Sequence, residues 1–468
     1  MYSLKKIVEN YLHNCNQKYI FFDKDGKYEK FLIKKKIEKY VQILEKFWKN
    51  SNNNGVAIAL DRNIDYICVI FATWICKGYY LPLSTKMPKK NRNYQIKDSG
   101  VNLLVFKKKD KIFFKKIKRK KIIFPNFKNK IAYIIFTSGS TGKKKGVCIS
   151  NDNLISYYNS IKNKFKKEKH LNSVLINGEF TFDITIADLI FALVFKASIG
   201  VTDNARNFIS LISMAYLHRV ESIYLVPSSL NKLLEFLQNS SKKYFQSIKQ
   251  INLGGEQLSP ILLEKAQKFF KNKTFYNFYG PTEFTINALC HKISNNRNYN
   301  EVPIGKALKG VKFFIKKNDR KENSGELLLA GKQIMIGYVN YKSKFSFINK
   351  KKYYPTGDIV KLNSKKEVIF VGRKGEYIKL EGYRINISRI ENIIEKKLKK
   401  NIKLVINNSK INLIVELKKI NSKNIILAKL NKIFSDFLEH YERPNQIKFL
   451  KKFNYLENGK LDIKKFYN

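Results

Sequence analysis

The stretch FTSGSTGKKKGVC, residues 136–148, decides the fold of this 468-residue chain. Its glycines and hydroxyl side chains, followed by lysines, are typical of a loop whose N–H and O–H groups converge on a phosphate chain. A Walker A loop needs the pattern G-x-x-x-x-G-K-[ST]. Here Lys144 stands where that pattern requires a hydroxyl residue, and Thr137 stands in place of the first glycine. The spacing therefore excludes a P-loop and favours a phosphate-binding loop of another kind.

The segments on either side of this loop alternate between apolar runs and helical stretches. Buried strands are predicted at 54–60, 79–84, 102–106 and 131–138, and helices at 61–77 and 89–98. Short strands that alternate with helices predict layered α/β architecture, because each sheet needs helices to cover its faces.

The sequence pattern changes after about residue 300: short apolar runs are separated by turn residues, which predicts a small β-rich subdomain. From residue 386 onward an amphipathic helix is followed by two strands, which predicts a small α+β unit. We therefore expect an N-terminal domain over 1–372, made of layered α/β subdomains plus the β-rich one, and a small mobile C-terminal domain over 373–468.

Composition narrows the class of protein. The net charge is +54, but lysines are interleaved with Asn, Ile, Phe and Tyr throughout, so we expect solvated surface lysines rather than a nucleic-acid footprint. The five cysteines form no C-x-x-C pair, which argues against a disulfide framework or a zinc site and for a reducing cytoplasmic compartment. The apolar run 66–76 is too short to span a bilayer and predicts a buried helix, and the N-terminus lacks the pattern of a signal peptide.

The loop at 136–148 resembles the phosphate loop of the adenylate-forming superfamily, whose pattern is TSGTTGxPKGV; here Lys144 replaces the usual proline. That superfamily includes adenylation domains of nonribosomal peptide synthetases, D-alanine–carrier protein ligases, acyl- and aryl-CoA ligases and luciferase. Further segments are similar to superfamily motifs in the same order: CKGYYLPLS (76–84), NYQIKDSGVNLLV (93–105), INLGGEQLS (251–259), NFYGPTE (277–283), SGELLLAGKQIMIGYV (324–339), YPTGD (354–358), GRKGEYIKLEGYRINISRIE (372–391) and NGKLD (458–462). The resemblance thus covers nearly the whole chain.

The resemblance implies a reaction in two steps. A carboxylate attacks the α-phosphate of ATP, pyrophosphate leaves, and a thiol then displaces AMP from the acyl-adenylate. Because negative charge concentrates on the phosphates, catalysis rests mainly on positioning and electrostatic stabilisation. ATP and Mg²⁺ are the implied cofactors.

The resemblance also assigns the nucleotide contacts. The residues expected to bind the β- and γ-phosphates are Thr137, Ser138, Gly139, Ser140, Thr141, Gly142 and Lys145. The accompanying motifs add four residues that are also expected at the nucleotide site: Gly254, Gly255, Glu256 and Gly280. Thr282 is expected to bond the α-phosphate and Glu283 to ligate Mg²⁺, which suits a single carboxylate plus phosphate oxygens. Tyr279 is expected to stack on adenine and Asn277 to bond its exocyclic amine. Asp358 is expected to bond the ribose hydroxyls, with Arg373 as a nearby donor.

Lys460 in NGKLD is implied as the catalytic lysine that neutralises charge between the carboxylate and the α-phosphate. Asn-Gly makes a tight turn, which presents such a lysine at a loop tip. In the second step the small domain is expected to rotate, so that Lys379 and Gly382 line the path of the thiol. The hinge position holds Gly375, which keeps the backbone freedom of a hinge but not the charged side chain usual in the superfamily.

The stretch FTFDITIAD, 180–188, carries the substrate signal. Asp183 matches the aspartate that binds the substrate's α-ammonium in peptide-synthetase adenylation domains, a charge-assisted contact. The remaining pocket positions are mostly apolar and uncharged: Ile184, Ala187, Tyr224, Ile251, Leu253, Phe278, Ile286 and Asn287. Because several are bulky, a small neutral amino acid is the predicted substrate, with a carrier protein's phosphopantetheine thiol as acceptor.

Two alternatives remain at this stage. If Asp183 binds no amine, the chain is an acyl- or aryl-CoA ligase, with CoA as the thiol. A non-catalytic, basic nucleic-acid-binding relative is the other class. Retention of Lys145, Thr282, Glu283, Asp358 and Lys460 argues against it.

Overall fold

The structure, a computed structural model, describes residues 3–49, 51, 54–85, 87, 89–117, 131–138, 144–168, 170–205, 207–237, 239–295, 297–317, 323–373, 377–380, 383–407, 410–417, 423–438 and 442–454. Among these residues, no helix is both long and apolar enough to traverse a bilayer.

The largest sheet has nine strands in the order β15-β14-β13-β12-β11-β9-β10-β1-β2. Its strands are β1 (Tyr19–Asp23), β2 (Gly26–Glu29), β9 (Ser173–Ile176), β10 (Ser198–Val201), β11 (Ser222–Leu225), β12 (Gln250–Gly254), β13 (Thr274–Tyr279), β14 (Leu289–Ile293) and β15 (Lys306–Ala307). The central strands from β1 to β13 run parallel, whereas β2, β14 and β15 are antiparallel additions at the edges. Strands β9 to β12 are buried at every position, as expected for a parallel sheet covered on both faces.

A second sheet of seven strands has the order β18-β8-β7-β4-β3-β5-β6. Its strands are β3 (Gly55–Ala59), β4 (Tyr79–Pro82), β5 (Leu103–Lys108), β6 (Lys111–Lys116), β7 (Ile131–Ser138), β8 (Lys144–Ser150) and β18 (Gly337–Tyr338). The two-residue strand β18 matters most for the site, because it brings a segment from far along the chain to the edge of β8.

The other strands within the described ranges form three smaller sheets. A five-stranded sheet contains β16 (Lys312–Lys316), β17 (Ser324–Ala330), β19 (Ser346–Ile348), β20 (Lys351–Leu362) and β21 (Val368–Arg373). Beyond it lie the pair β22 (Tyr377–Leu380) and β23 (Tyr383–Asn386) and a three-stranded sheet of β24 (Ile402–Asn407), β25 (Lys410–Glu416) and β26 (Gln446–Leu450).

The helices cover these sheets: α1 (Leu4–Asn14), α2 (Lys30–Trp48), α3 (Ile64–Ile75), α4 (Lys89–Ser99), α5 (Asn151–Lys164), α6 (Ile184–Phe195), α7 (Phe208–Leu217), α8 (Pro227–Phe236), α9 (Pro260–Phe269), α10 (Ile387–Leu398) and α11 (Lys423–Phe437). Helix α5 begins with a capping box between Ser150 and Asn153, which satisfies backbone donors at its start. The main core is shared between the two large sheets, and α10 and α11 have a hydrophobic cluster of their own with β24 and β25.

The structure confirms the α/β fold class and the β-rich region after residue 300. The four predicted strands before residue 139 correspond to β3, β4, β5 and β7, and the apolar run 66–76 lies in the buried helix α3. The predicted helix and two strands after residue 386 are α10, β24 and β25. The domain boundary between 372 and 373 stays a prediction.

Candidate functional site

The turn after β13 presents Thr282 and Glu283. It can form only because residue 280 is glycine: a Cβ there would lie 2.0 Å from the carbonyl oxygen of Ile286. Thr282–Phe284 make one 3₁₀ turn, and the next residue, Thr285, has a φ of 54°. Left-handed backbone is costly for a β-branched residue and persists only where surrounding contacts hold it.

Those contacts come from residues 333–335. The Thr285 hydroxyl donates to the Gln333 carbonyl at 2.6 Å, and the Gln333 side-chain amide donates to the Asn287 carbonyl at 2.9 Å. The amide of Met335 donates to the Glu283 carbonyl at 2.8 Å. The turn is therefore bound on several sides to a segment about fifty residues away.

The predicted adenine and ribose contacts lie together at the end of β13. The hydroxyl of Tyr279 donates to Asp358 Oδ2 at 2.5 Å, and Arg373 Nε lies 3.8 Å from Asp358 Oδ1. Burial, followed by the neighbouring Asp358 carboxylate, raises the pKa of Tyr279 well above its ordinary value, so the phenol remains a donor. The structure thus brings Tyr279, Asp358 and Arg373 together, although their roles toward a nucleotide stay predictions.

Asn277 is buried, and its side-chain N–H₂ donates to the Pro303 carbonyl at 2.8 Å. Its predicted bond to the adenine amine would use the other amide atom, Oδ1, and stays a prediction.

The Gly254–Glu256 motif lies at the end of β12. A Cβ at Gly254 would come within 2.3 Å of the Tyr224 hydroxyl and 2.7 Å of the Phe278 carbonyl, and Gly255 has a φ of 84°. Glu256 accepts hydrogen bonds from the backbone and the hydroxyl of Ser228, at 2.8 and 3.0 Å. The carboxylate therefore ties this loop to the start of α8.

Of the phosphate loop, the structure describes the two strands that flank it. Thr137 on β7 pairs in register with Lys145 on β8, and Ser138 pairs with Lys144. The Lys145 ammonium lies over two aromatic rings, 5.5 Å from the centroid of Tyr338 and 5.6 Å from that of Tyr341. Gly139, Ser140, Thr141 and Gly142 lie outside the described residues.

Asp183 lies immediately before α6 and makes no capping hydrogen bond to that helix. The residue as a whole is partly exposed, yet its Oδ2 atom is buried and has no hydrogen-bond partner. Burial raises the pKa of Asp183 to about 6; a hydrogen bond with Thr282 opposes that shift, and the nearby Glu283 adds to it. A buried carboxylate atom without a counter-charge is a site for a cation or a hydrogen-bond donor.

The predicted pocket residues divide between two faces of the nine-stranded sheet. Tyr224 and Phe278 lie on one face, with ring centroids 5.9 Å apart, and belong to the main core. The same core includes Ala187 and Ile286, with Ile184 packed against it.

Ile251 and Leu253 lie on the opposite face, in a separate hydrophobic cluster with Leu225 and Phe275. The structure therefore corrects their inclusion in the pocket. In the observed register Asn252 stands beside Tyr224, and Gly254 beside Phe278. Since side chains alternate along a strand, shifting an assignment by one residue moves it to the other face.

Asn287 links two buried tyrosines. Its Oδ1 accepts a hydrogen bond from the Tyr224 hydroxyl at 3.3 Å, and its Nδ2 donates to the Tyr157 hydroxyl at 2.9 Å. Sequence reasoning missed Tyr157 because it lies on α5, in a segment without a superfamily motif and 130 positions from Asn287.

Arg62 was also missed. From the loop after β3 it donates to the carbonyls of Ile176, Gly178 and Thr202, which follow or end strands of the other large sheet. Its guanidinium carbon lies 4.9 Å from the ring centroid of Phe180, and burial lowers its pKa to about 10. Arg62 thus joins the two sheets next to the segment that leads to Asp183.

Three residues predicted for the thiol step and catalysis, Lys460, Gly382 and Gly375, lie outside the described residues. Lys379 is in strand β22, where only the backbone is described.

Glu283 fits the predicted magnesium site. Within the described ranges, no three His, Cys, Asp or Glu side chains gather as a preformed metal cage. Mg²⁺ bound with substrate phosphates commonly uses one or two carboxylates and retains several waters. A single carboxylate beside Thr282, at the end of a parallel strand, matches that donor set.

Comparisons with known proteins show which proteins this chain is similar to. Residues 49–339 match the sequence profile of the family described as AMP-binding enzyme. Gramicidin S synthase 2 of Aneurinibacillus migulanus is 27% identical over 447 residues, which cover 88% of this chain and 10% of that protein. Zwittermicin A synthase ZmaJ of Bacillus cereus is 26% identical over 445 residues, which cover 87% of this chain and 84% of that protein. The chain thus spans about a tenth of the length of the first of these relatives.

Among solved structures, Klebsiella oxytoca NpsA in complex with 3-hydroxyanthranilyl-AMSN superposes with a TM-score of 0.80 at 15% identity. The superposition covers 100% of this chain and 99% of that chain. At 15% identity, this similarity shows a shared fold and nothing about activity.

Replacing Asp183 with Asn tests the electrostatics of the site. Because the folded pKa of about 6 lies above the ordinary value of 3.8, Asp183 makes the folded chain less stable as pH rises through that window. The stability of Asp183→Asn relative to wild type should therefore increase by about 1–3 kcal/mol between pH 4 and pH 7. Urea unfolding at several pH values measures this difference. Asp152→Asn, at an exposed carboxylate in α5, is the control; a stability difference for Asp183→Asn that stays constant with pH contradicts the assignment.

The corrected register predicts different results for Leu253 and Tyr224. Leu253→Ala should lower the free energy of unfolding by about 2–5 kcal/mol, because it leaves a cavity in the hydrophobic cluster that contains Leu225 and Phe275. It should leave the preference among carboxylic acid substrates unchanged. Tyr224→Phe removes only a hydroxyl and should change that preference. Unfolding curves and relative rates of pyrophosphate exchange with different acids measure the two effects; the reverse pattern would restore Leu253 to the pocket.

Proposed function

The chain belongs to the AMP-binding enzyme family, the adenylate-forming superfamily that its motifs resemble, and from that premise we propose that it activates an amino acid as aminoacyl-AMP. The acyl group then passes to the phosphopantetheine thiol of a carrier protein. One observation carries the amino-acid assignment: the buried, unpartnered Oδ2 of Asp183 beside the turn that holds Thr282 and Glu283.

An α-ammonium group would satisfy this carboxylate. A cation that donates N–H bonds to Asp183 would lower its pKa from about 6 and hold it ionised at neutral pH. Fatty or aryl acids lack such a group and would leave the carboxylate uncompensated in a partly desolvated site. The orientation of Asp183 also supports this role, because its side chain does not cap α6.

The neighbouring residues support a small neutral substrate. Tyr224 and Phe278 pack against each other, and Gly254 lies in close contact with Tyr224. Asn287 fills the space between Tyr224 and Tyr157. These side chains fill the part of the proposed pocket that a long substrate side chain would need.

The nucleotide contacts follow from the same assignment. Tyr279, Asp358 and Arg373 would bind the adenosine, and Lys145 the phosphate chain. Glu283 would hold Mg²⁺, which neutralises phosphate charge when bound. Lys460 would neutralise the reacting carboxylate and α-phosphate, and Lys379 and Gly382 would line the thiol path after rotation about Gly375.

ATP–pyrophosphate exchange over a panel of amino, fatty and aryl acids tests the function. We expect exchange with small neutral amino acids and little with acids that lack an amine. Exchange only with fatty or aryl acids would support the acyl- or aryl-CoA ligase. Absence of exchange with every acid, together with a salt-sensitive gel shift of nucleic acid, would support the non-catalytic relative.

Asp183→Ala with matched substrates sharpens that test. Removing one partner of a buried charge pair costs on the order of 2–5 kcal/mol, so exchange with the cognate amino acid should fall roughly thirtyfold or more. The deaminated analogue should be poor with wild type and lose little in the variant. In wild type, use of the amino acid should improve as pH rises through about 6, because Asp183 must be ionised to pair. Equal treatment of both acids by both proteins would make Asp183 structural.

Lys460→Ala separates the two half-reactions. The charge of Lys460 matters only while the α-phosphate is being attacked, so exchange should collapse while thiol loading from a synthetic aminoacyl-adenylate continues. ATP–pyrophosphate exchange measures the adenylation step, and loading of the carrier protein measures the transfer step. Lys464→Ala, at a neighbouring lysine, is the matched control. Equal loss in both steps contradicts a role confined to adenylation.

A further inference from the structure

The segment 335–339 connects the two parts of the phosphate site. Its Met335 amide donates to the Glu283 carbonyl at 2.8 Å, and its Val339 amide donates to the Gly146 carbonyl at 2.8 Å. Between these two bonds, Tyr338 in β18 pairs antiparallel with Val147 of β8. One short segment therefore holds the Glu283 turn against the strand that carries Lys145.

The side chain of Tyr338 also contacts both the Glu283 turn and Lys145. Its hydroxyl donates to Glu283 Oε1 at 2.8 Å, and its ring centroid lies 5.5 Å from the Lys145 ammonium. A cation over an aromatic face is attracted by the ring quadrupole. One residue thus contacts both the predicted metal-binding carboxylate and the predicted phosphate-binding cation.

The hydroxyl of Tyr338 is a donor at neutral pH, because the ordinary pKa of a tyrosine is about 10. The side chain is held at its hydroxyl by the bond to Glu283, and the backbone is held in β18 by its pairing with β8.

We propose that Tyr338 is a positioning residue: its hydroxyl orients the Glu283 carboxylate for a divalent metal, while its ring keeps Lys145 beside the phosphate chain. A phenol that binds one carboxylate oxygen leaves the other oxygen available to the metal. Partners in this outer layer typically matter by about 10–100-fold in metal affinity or activity. The proposal rests on the proposed function in taking Glu283 as the metal ligand and Lys145 as a phosphate-binding residue.

A purely structural role for Tyr338 predicts something different. If the ring only fills space between β8 and the Glu283 turn, Tyr338→Phe should be silent, because phenylalanine preserves the ring. If the hydroxyl orients Glu283, Tyr338→Phe should weaken metal binding while the protein remains as stable as wild type. The isosteric variant therefore separates the two roles.

The experiment measures Mn²⁺ binding by electron paramagnetic resonance, as loss of the free Mn²⁺ signal, in the presence of α,β-methylene-ATP. No turnover is required, so the reading is independent of the acid substrate. We expect Tyr338→Phe to raise the apparent Kd of Mn²⁺ about tenfold. At saturating metal, its KM for the acid substrate should equal that of wild type.

Two further variants complete the test. Tyr341→Phe removes a hydroxyl from the other ring beside Lys145 and is expected to leave Mn²⁺ binding within about twofold of wild type, because the hydroxyl bond to Glu283 comes from Tyr338. Tyr338→Leu removes ring and hydroxyl together and should also weaken binding of the ATP analogue. If Tyr338→Leu fails to fold, Tyr338→Phe still decides the question.

An apparent Kd for Tyr338→Phe within about twofold of wild type would overturn the proposal, because the hydroxyl would then have no part in metal binding. Failure of the proposed function would appear differently, as absence of exchange by wild type with every amino acid. The Mn²⁺ comparison between wild type and Tyr338→Phe keeps its meaning in that case.

Discussion

The hydrogen bond from the Met335 amide to the Glu283 carbonyl is the constraint on which the site depends. The turn after β13 contains left-handed backbone at Thr285 and Ile286, which would not persist without external support. Residues 333–335 supply that support and continue directly into β18, the edge strand on β8. The geometry of the Glu283 turn and the position of Lys145 are therefore set by the same segment.

Two carboxylates, Asp183 and Glu283, lie near each other at the candidate site. Burial and the proximity of Glu283 raise the pKa of Asp183, which means that its ionised form is unfavourable in the ligand-free protein. The ammonium proposed for Asp183 and the metal proposed for Glu283 would each neutralise one of the two carboxylates.

The buried hydrogen bonds of the candidate site limit which substitutions its side chains tolerate. Asn287 is shared between Tyr224 and Tyr157, so altering one of these side chains leaves a polar partner unsatisfied. Arg62 links the ends of β9 and β10 to the other large sheet through backbone carbonyls, which no side-chain substitution on those strands removes. The packing of the two large sheets is therefore linked to the hydrogen bonds of Arg62.

The sequence by itself determined the α/β class and the order of the motifs, because hydrophobic periodicity and motif spacing are local properties of the chain. The resemblance of those motifs to the adenylate-forming superfamily supplied the candidate group Tyr279–Asp358–Arg373. The same resemblance pointed to Asp183 and Glu283. Only the tertiary structure decided that Asn252 and Gly254, rather than Ile251 and Leu253, share a face with Tyr224 and Phe278. The side-chain period of a strand is two, so this choice depends on register between strands. Likewise, the bond from Tyr338 to Glu283 joins positions 55 residues apart, and folding alone brings them together.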